Sequence, residues 1–193
     1  MNVAILLLAA GNSRRMGTAK QLLPVGSTTL LGHSIDCAIQ SNANKIYCIL
    51  GAHANDIKAS IPMQQIEVII NDNFMDGLSS SIRAGIHHIN HLNFDAVLIM
   101  LADQPLIDSK YLNILIQGYI KNPTKILASD YGNAIGVPAI FPKKFFKQLI
   151  ELKGDNGAKK VLNHNSNEII KVKCNALLDI DTKEDYLNFL KSL

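Results

Sequence analysis

An unbroken apolar run over residues 3–10, VAILLLAA, stops at Gly11 and gives way to a polar loop with two adjacent arginines, Arg14 and Arg15. The run has no charge and no alternation, the pattern of a strand buried on both faces of a parallel sheet. It is too short to cross a bilayer. Open parallel sheets bind ligands beyond the carboxyl ends of their strands, which is where Gly11 stands. Without a Cβ, a glycine there lets backbone N–H groups approach an anion closely. Arg14, Arg15 and the lone Lys20 add positive charge, arginine as a fork and lysine as a point charge. The chain holds 19 basic residues, of which only Arg14, Arg15 and Arg83 are arginines, so a pair in one short loop points to a geometric need. On these residues alone a solvated basic turn is the competing reading.

Spacing excludes two phosphate loops. A Walker A loop places four residues between its glycines and Lys-Ser/Thr directly after them, whereas five residues separate Gly11 from Gly17 here, and Lys20 comes three later. The dinucleotide G-x-G-x-x-G pattern is absent from the loop.

With 193 residues, 48% of them hydrophobic, the chain can bury one sizeable core, and a single domain over 1–193 is expected. A net charge of +3 with dispersed lysines does not call for nucleic acid as a partner. Cys37, Cys48 and Cys174 are too far apart for a disulfide framework or a zinc site. The N-terminus has neither a basic segment nor a small-residue cleavage site, so the expected location is the cytoplasm, with no membrane partner.

Helical spacing appears within residues 22–40, at Leu30, Leu31, Ile35, Ala38 and Ile39, with Thr28 or Thr29 as cap. Residues 45–50 and 67–70 read as further strands, which gives a βαβαβ rhythm and a three-layer α/β fold. Next comes NDNFMDGLSSSIRAG, residues 71–85. Here an Asp-Gly turn leads into a helix capped by Ser79 or Ser80. Free N–H groups at that helix start, approached over Gly77, can bind a base edge or a phosphate, although a plain capped helix explains the serines equally well. His87 and His91 are spaced as metal ligands on one face, but with no third ligand a solvated helix end is the better reading.

A second buried strand, residues 94–102, ends on Asp103-Gln104-Pro105-Leu106. A carboxylate at that sheet edge needs a cation, and hard cations such as Mg²⁺ take carboxylate oxygen, so Asp103 is the leading metal-ligand candidate. The alternative is a cap for the helix that begins near Asp108. A helix is expected over residues 109–119, a short strand at 126–128, and an amphipathic helix over 143–152. Late in the chain, Asp179 and Asp181 share one face of an extended segment, after which Thr182 opens a helix.

Leu8 through Lys20 matches, without a gap, the signature L-A-A-G-x-S-x-R-M-G-x-x-K, and on it the chain resembles the MobA-like nucleotidyltransferases. The likeness runs over nearly the whole chain and is strongest to the branch of molybdenum cofactor cytidylyltransferases, through the G-L-S-S-S, D-Q-P-L and D-I-D-T segments. It implies a mostly parallel, Rossmann-like central sheet of the nucleotide-diphospho-sugar transferase type. It implies Leu8, Ala9, Ala10, Gly11, Gly77, Ser79 and Ser81 as nucleotide-binding residues and Arg15, Lys20 and Asp103 as catalytic ones. Arg14 falls at a variable place in the signature and is expected to face water. Asp103 and Asp181 become the ligands of Mg²⁺, with Asp179 in reserve. Gly136 and Pro138, with Asp155, Asn156 and Gly157, are placed near the acceptor.

The implied activity is transfer of CMP from CTP to the phosphate of molybdopterin, releasing pyrophosphate, with a molybdenum hydroxylase as client. CTP is favoured over GTP because the guanylyltransferase branch has Gly-Gly where this chain has Ala9-Ala10. Two other readings stand beside it. One is transfer to another phosphorylated acceptor such as a sugar phosphate, and the other is a cofactor-binding chaperone without turnover. Lys183 replaces a proline common in the branch, which bears on helix initiation rather than on metal binding.

Overall fold

The structure, a computed structural model, describes residues 1–193 apart from Arg14, residues 62–64, Leu177 and Leu193. The expectation for Arg14 therefore lies outside the described residues. Seven strands form the main sheet: β1 (Val3–Leu8), β4 (Lys45–Leu50), β5 (Ile66–Ile70), β6 (Ala96–Leu101), β7 (Ile126–Asp130), β8 (Ile135–Pro142) and β9 (Ile169–Lys173), in the order β5-β4-β1-β6-β8-β7-β9. β1 lies between β4 and β6, parallel to both, and β8 alone runs antiparallel to its neighbours. This is the three-layer, mostly parallel, Rossmann-like α/β fold that the sequence predicts.

Period-two geometry explains the unbroken apolar run. Val3, Ile5 and Leu7 enter one core layer beneath α1 (Leu30–Ile39) and α4 (Ser109–Lys121), with Leu31, Ile35, Leu112 and Leu115. Ala4, Leu6 and Leu8 enter the opposite layer beneath α3 (Leu78–Ile89), α5 (Phe146–Ile150) and α6 (Lys159–His164). Each fully buried leucine contributes about 1.5–3 kcal/mol, so a polar residue at any of these positions costs one layer its packing.

Several boundaries differ from the sequence reading. The stretch 22–40 is helical only from Leu30, because a short hairpin of β2 (Pro24–Val25) and β3 (Thr28–Thr29) precedes α1. Thr29 is its cap, accepting from the Gly32 amide at 3.0 Å. Asp108 caps α4 by accepting from Tyr111 N at 2.8 Å, so the role weighed for Asp103 is filled by another residue. The helix expected over 143–152 is a 3₁₀ turn followed by the short α5. β9, IIKVK, went unread because its half-exposed, lysine-bearing sequence shows no clear apolar run.

Gly51 ends β4 under the functional edge of the sheet. A Cβ there would lie 2.5 Å from Phe74 Cβ and 2.9 Å from Ala10 Cβ, atoms close to the backbone that cannot yield easily. Gly51→Ala is expected to lower stability by about 1–3 kcal/mol, as overpacked sites do. Urea unfolding should show a lower midpoint at an unchanged slope.

Candidate active site

A cleft of about 580 Å³ opens beyond the carboxyl ends of β1 and β6, and its walls include Gly11, Arg15, Lys20, Asp103 and Asp181. The loop after β1 is held from beneath by Gln21, only 3% exposed. Its Nε2 donates to the carbonyls of Ala9 at 2.8 Å and Gly11 at 3.0 Å, and its Oε1 accepts from Ser13 Oγ at 3.3 Å. Lys20 N donates to the same Ser13 hydroxyl. Gln21 was not singled out from sequence; the signal is one amide side chain between Lys20 and the apolar Leu22-Leu23.

Lys20 lies at the centre of the polar groups. Its ammonium donates to Asp103 Oδ2 at 2.6 Å, Ile180 O at 2.9 Å and Asp181 Oδ1 at 3.0 Å, which uses all three of its protons. Arg15 Nη2 reaches Asp181 Oδ2 at 2.8 Å. Burial opposes the charge on Lys20, but Asp103 and Asp181 outweigh it and raise its pKa above the ordinary lysine value. Burial likewise opposes ionisation of Asp181, and Lys20 and Arg15 reverse that, holding its carboxyl below the usual range. Asp179 goes the other way, raised by burial and by the like charges of Asp103 and Asp181, against the pull of Gln104 and Lys20.

The aspartates come from two separate segments fixed to each other. Asp103 follows β6, and its carbonyl accepts from Ile180 N at 2.9 Å. Ile180 is fully buried with Val25, Leu30 and Phe189, so its neighbours Asp179 and Asp181 face outward from that anchor as alternation requires. The described residues 178–181 form no strand; Asp179 accepts from Gln104 Nε2 at 2.9 Å while Asp181 faces Lys20. Thr182 and Asp185 make a capping box on α7 (Lys183–Leu190), which fixes the direction of the segment. Lys183 in place of proline leaves this start intact.

The start of α3 departs from expectation. Neither Ser79 nor Ser80 is its cap: Gly77, at φ +89°, lets the helix begin at Leu78, and the serines lie in its first turn. The Leu78 amide, the first of the helix, donates to Asp155 Oδ1 at 3.3 Å. Ser81 lines the cleft, whereas Ser79 is fully buried with its hydroxyl unpartnered among the described residues. Asn71, 4% exposed, donates to Ser80 Oγ at 2.8 Å and Ser81 Oγ at 3.1 Å. This buried amide is a second supporting residue that sequence reading passed over.

Leu8, Ala9, Ala10, Gly11 and Gly77 line the same cleft, as does Asp155. Asn156 is exposed beside it, and Gly157 sits against Leu78. Gly136 and Pro138 lie on β8, outside the cleft lining. The spacing places His87 and His91 at the end of one helix, but α3 ends at Ile89, short of His91.

With this geometry in place, a family model described as the MobA-like NTP transferase domain matches residues 5–169. The chain belongs to the MobA-like NTP transferase family. It is a nucleotidyltransferase of that family, and the signature at Leu8 through Lys20 lies within the matched region. Among curated MobA-like relatives, the purine catabolism protein PucB of Bacillus subtilis is 27% identical over 192 residues, covering 94% of this chain and 92% of its own. The solved Rv0371c homologue from Mycobacterium sp. strain JC1 is 32% identical, with a TM-score of 0.88 over 98% of this chain and 96% of that one. Rv0371c of Mycobacterium tuberculosis, solved in complex with manganese, is 28% identical, with a TM-score of 0.83 over the whole of both chains.

Among the described residues, no helix is long and apolar enough to cross a membrane.

Proposed function

We propose that this protein transfers CMP from CTP to the phosphate of a molybdopterin-type acceptor, releasing pyrophosphate, with a divalent metal, Mg²⁺ in the first instance. The observation that carries the reading is the Lys20 ammonium held between Asp103 and Asp181 at the mouth of the Gly11 loop. In-line attack by an acceptor phosphate needs no covalent intermediate, so the chain's task is positioning and charge neutralisation.

Asp103 and Asp181 suit a hard cation. Asp103 Oδ1 is buried without a hydrogen-bond partner among the described residues, an orphan acceptor of the kind a metal or its water satisfies. Bound there, a divalent ion supplies positive charge to the reacting phosphates. Arg15 and Lys20 neutralise charge on the leaving pyrophosphate, and backbone N–H groups of the Gly11 loop orient the phosphates. The turn at Gly77 and Ser81 faces the base. That the relative Rv0371c was solved in complex with manganese supports the use of a divalent ion. Two acidic groups beside the fixed Lys20 ammonium favour turnover over mere cofactor binding.

The test is pyrophosphate release from CTP, GTP and ATP under Mg²⁺ or Mn²⁺, with and without molybdopterin. The expected result is release from CTP only when molybdopterin is present. Release with a sugar phosphate in its place moves the acceptor to that class. Tight molybdopterin binding without any pyrophosphate identifies a chaperone and overturns the proposal.

A further inference from the structure

Two loops that the sequence assigns to different substrates meet in the structure. The start of α3, Gly77 to Ser81, belongs to the nucleotide side, and the 3₁₀ turn Gly154–Asn156 was expected near the acceptor. Asp155 Oδ1 accepts from the Leu78 amide, the first of α3. Gly77 has no room for a side chain, because a Cβ would run into that carboxylate and lie 2.8 Å from the Gly154 carbonyl carbon. Gly157, at φ +52°, closes from the other side, where a Cβ would meet Leu78 Cδ2 at 2.7 Å. Farther along the helix, Arg83 Nη1 donates to Leu152 O at 2.7 Å, fastening the segment that leads into the turn. The two loops are therefore one packed unit.

We infer that Asp155 is a positioning residue of the nucleotide subsite, acting through the first turn of α3 rather than on the acceptor. The inference rests on the reading above that places the nucleotide base at Gly77 and Ser81. A carboxylate at the positive end of a helix is stabilising, and here it supplies the cap that Gly77 cannot. It fixes the turn that carries Ser81, whose hydroxyl is already held from below by Asn71. It also makes the helix start unattractive to phosphate, which leaves the triphosphate to the Gly11 loop and this turn to the base. The division of the cleft into a phosphate end and a base end then depends on a residue from a distant loop.

The test compares Asp155→Ala and Asp155→Asn with the parent in steady-state kinetics and in calorimetric titration with Mg–CTP. In Asp155→Ala the KM and Kd for CTP should rise about fivefold to tenfold, the change that loss of one helix cap supports. The acceptor KM should stay within about twofold, a margin below the smallest cap effect. Asp155→Asn retains an oxygen that accepts the Leu78 amide and should restore both CTP constants. The carboxylate is exposed, so the alanine chain keeps its core. A raised acceptor KM with unchanged CTP constants overturns the inference and leaves the proposed activity standing. A parent that binds CTP but releases no pyrophosphate with any acceptor defeats the proposed activity, and the calorimetric Kd still decides the role of Asp155. A parent that binds no nucleotide overturns both.

Discussion

Lys20→Ala should lower kcat by about 100-fold to 1000-fold, the usual loss when one preorganised electrostatic group is removed from a phosphoryl or acyl transfer site. It should also tighten divalent-metal binding to the nucleotide-free protein. Both effects follow from one geometry. The Lys20 side chain is only 14% exposed and its ammonium sits within 3.0 Å of two carboxylates, so it acts as their internal cation before substrate arrives. Removing it strips positive charge from the phosphate site and leaves Asp103 and Asp181 unneutralised, a pair that then attracts metal more strongly. The checks are pyrophosphate release and the rise in melting temperature on adding Mn²⁺ without nucleotide. Turnover within a few-fold of the parent would remove Lys20 from the mechanism. An unchanged metal response would show that the ammonium does not compete for the carboxylates.

The stability difference between parent and Lys20→Ala should depend on pH in a set direction. Lys20 has a raised pKa, so its contribution is complete below the unfolded lysine value, about 10.4, and fades as pH rises through the folded value. Asp181 has a lowered pKa, so its contribution is present above about 3.9 and fades as pH falls through the folded value. The difference is therefore flat between those limits and shrinks towards both. Asp181 is 39% exposed, so solvent screening keeps its share small.

What the sequence made legible was whatever a local pattern encodes. Residues 3–8 declared a strand buried on both faces because every position feeds one core layer or the other. Asp103 could be named because it closes an apolar strand at the ligand-binding edge, whereas Asp181 was singled out from its neighbour Asp179 only by the family resemblance. Contacts between distant segments could not be read. Nothing in the order of residues says that Asp155 caps α3 across 77 positions, or that the Lys20 ammonium is satisfied by the protein's own carboxylates. The serines misled for a local reason: Gly77, at positive φ, starts the helix ahead of them, so they became first-turn residues. Gln21 and Asn71 were missed because a buried amide looks, in sequence, like any surface amide.

Asp103→Asn is the sharper test of metal binding. The substitution keeps the shape of the side chain, and the Asp103 carbonyl that accepts from Ile180 is backbone, so the fold around the 178–182 segment should persist. What changes is charge, at a side chain 20% exposed, with one oxygen on Lys20 and the other buried and, among the described residues, unpartnered. A neutral amide cannot replace a carboxylate for a hard cation, and kcat should fall about 1000-fold with loss of the metal-induced rise in melting temperature. Asp181→Asn, at a more exposed position also served by Arg15, should cost less, about tenfold to 100-fold. One alternative predicts the same single-variant loss, namely that Asp103 serves only to orient Lys20. The double variant Lys20→Ala/Asp103→Asn separates the two roles. If Asp103 only orients Lys20, the double variant is no slower than Lys20→Ala alone; if it holds the metal, the two losses multiply. The orphan Oδ1 favours multiplication, because that oxygen has no part in the contact with Lys20.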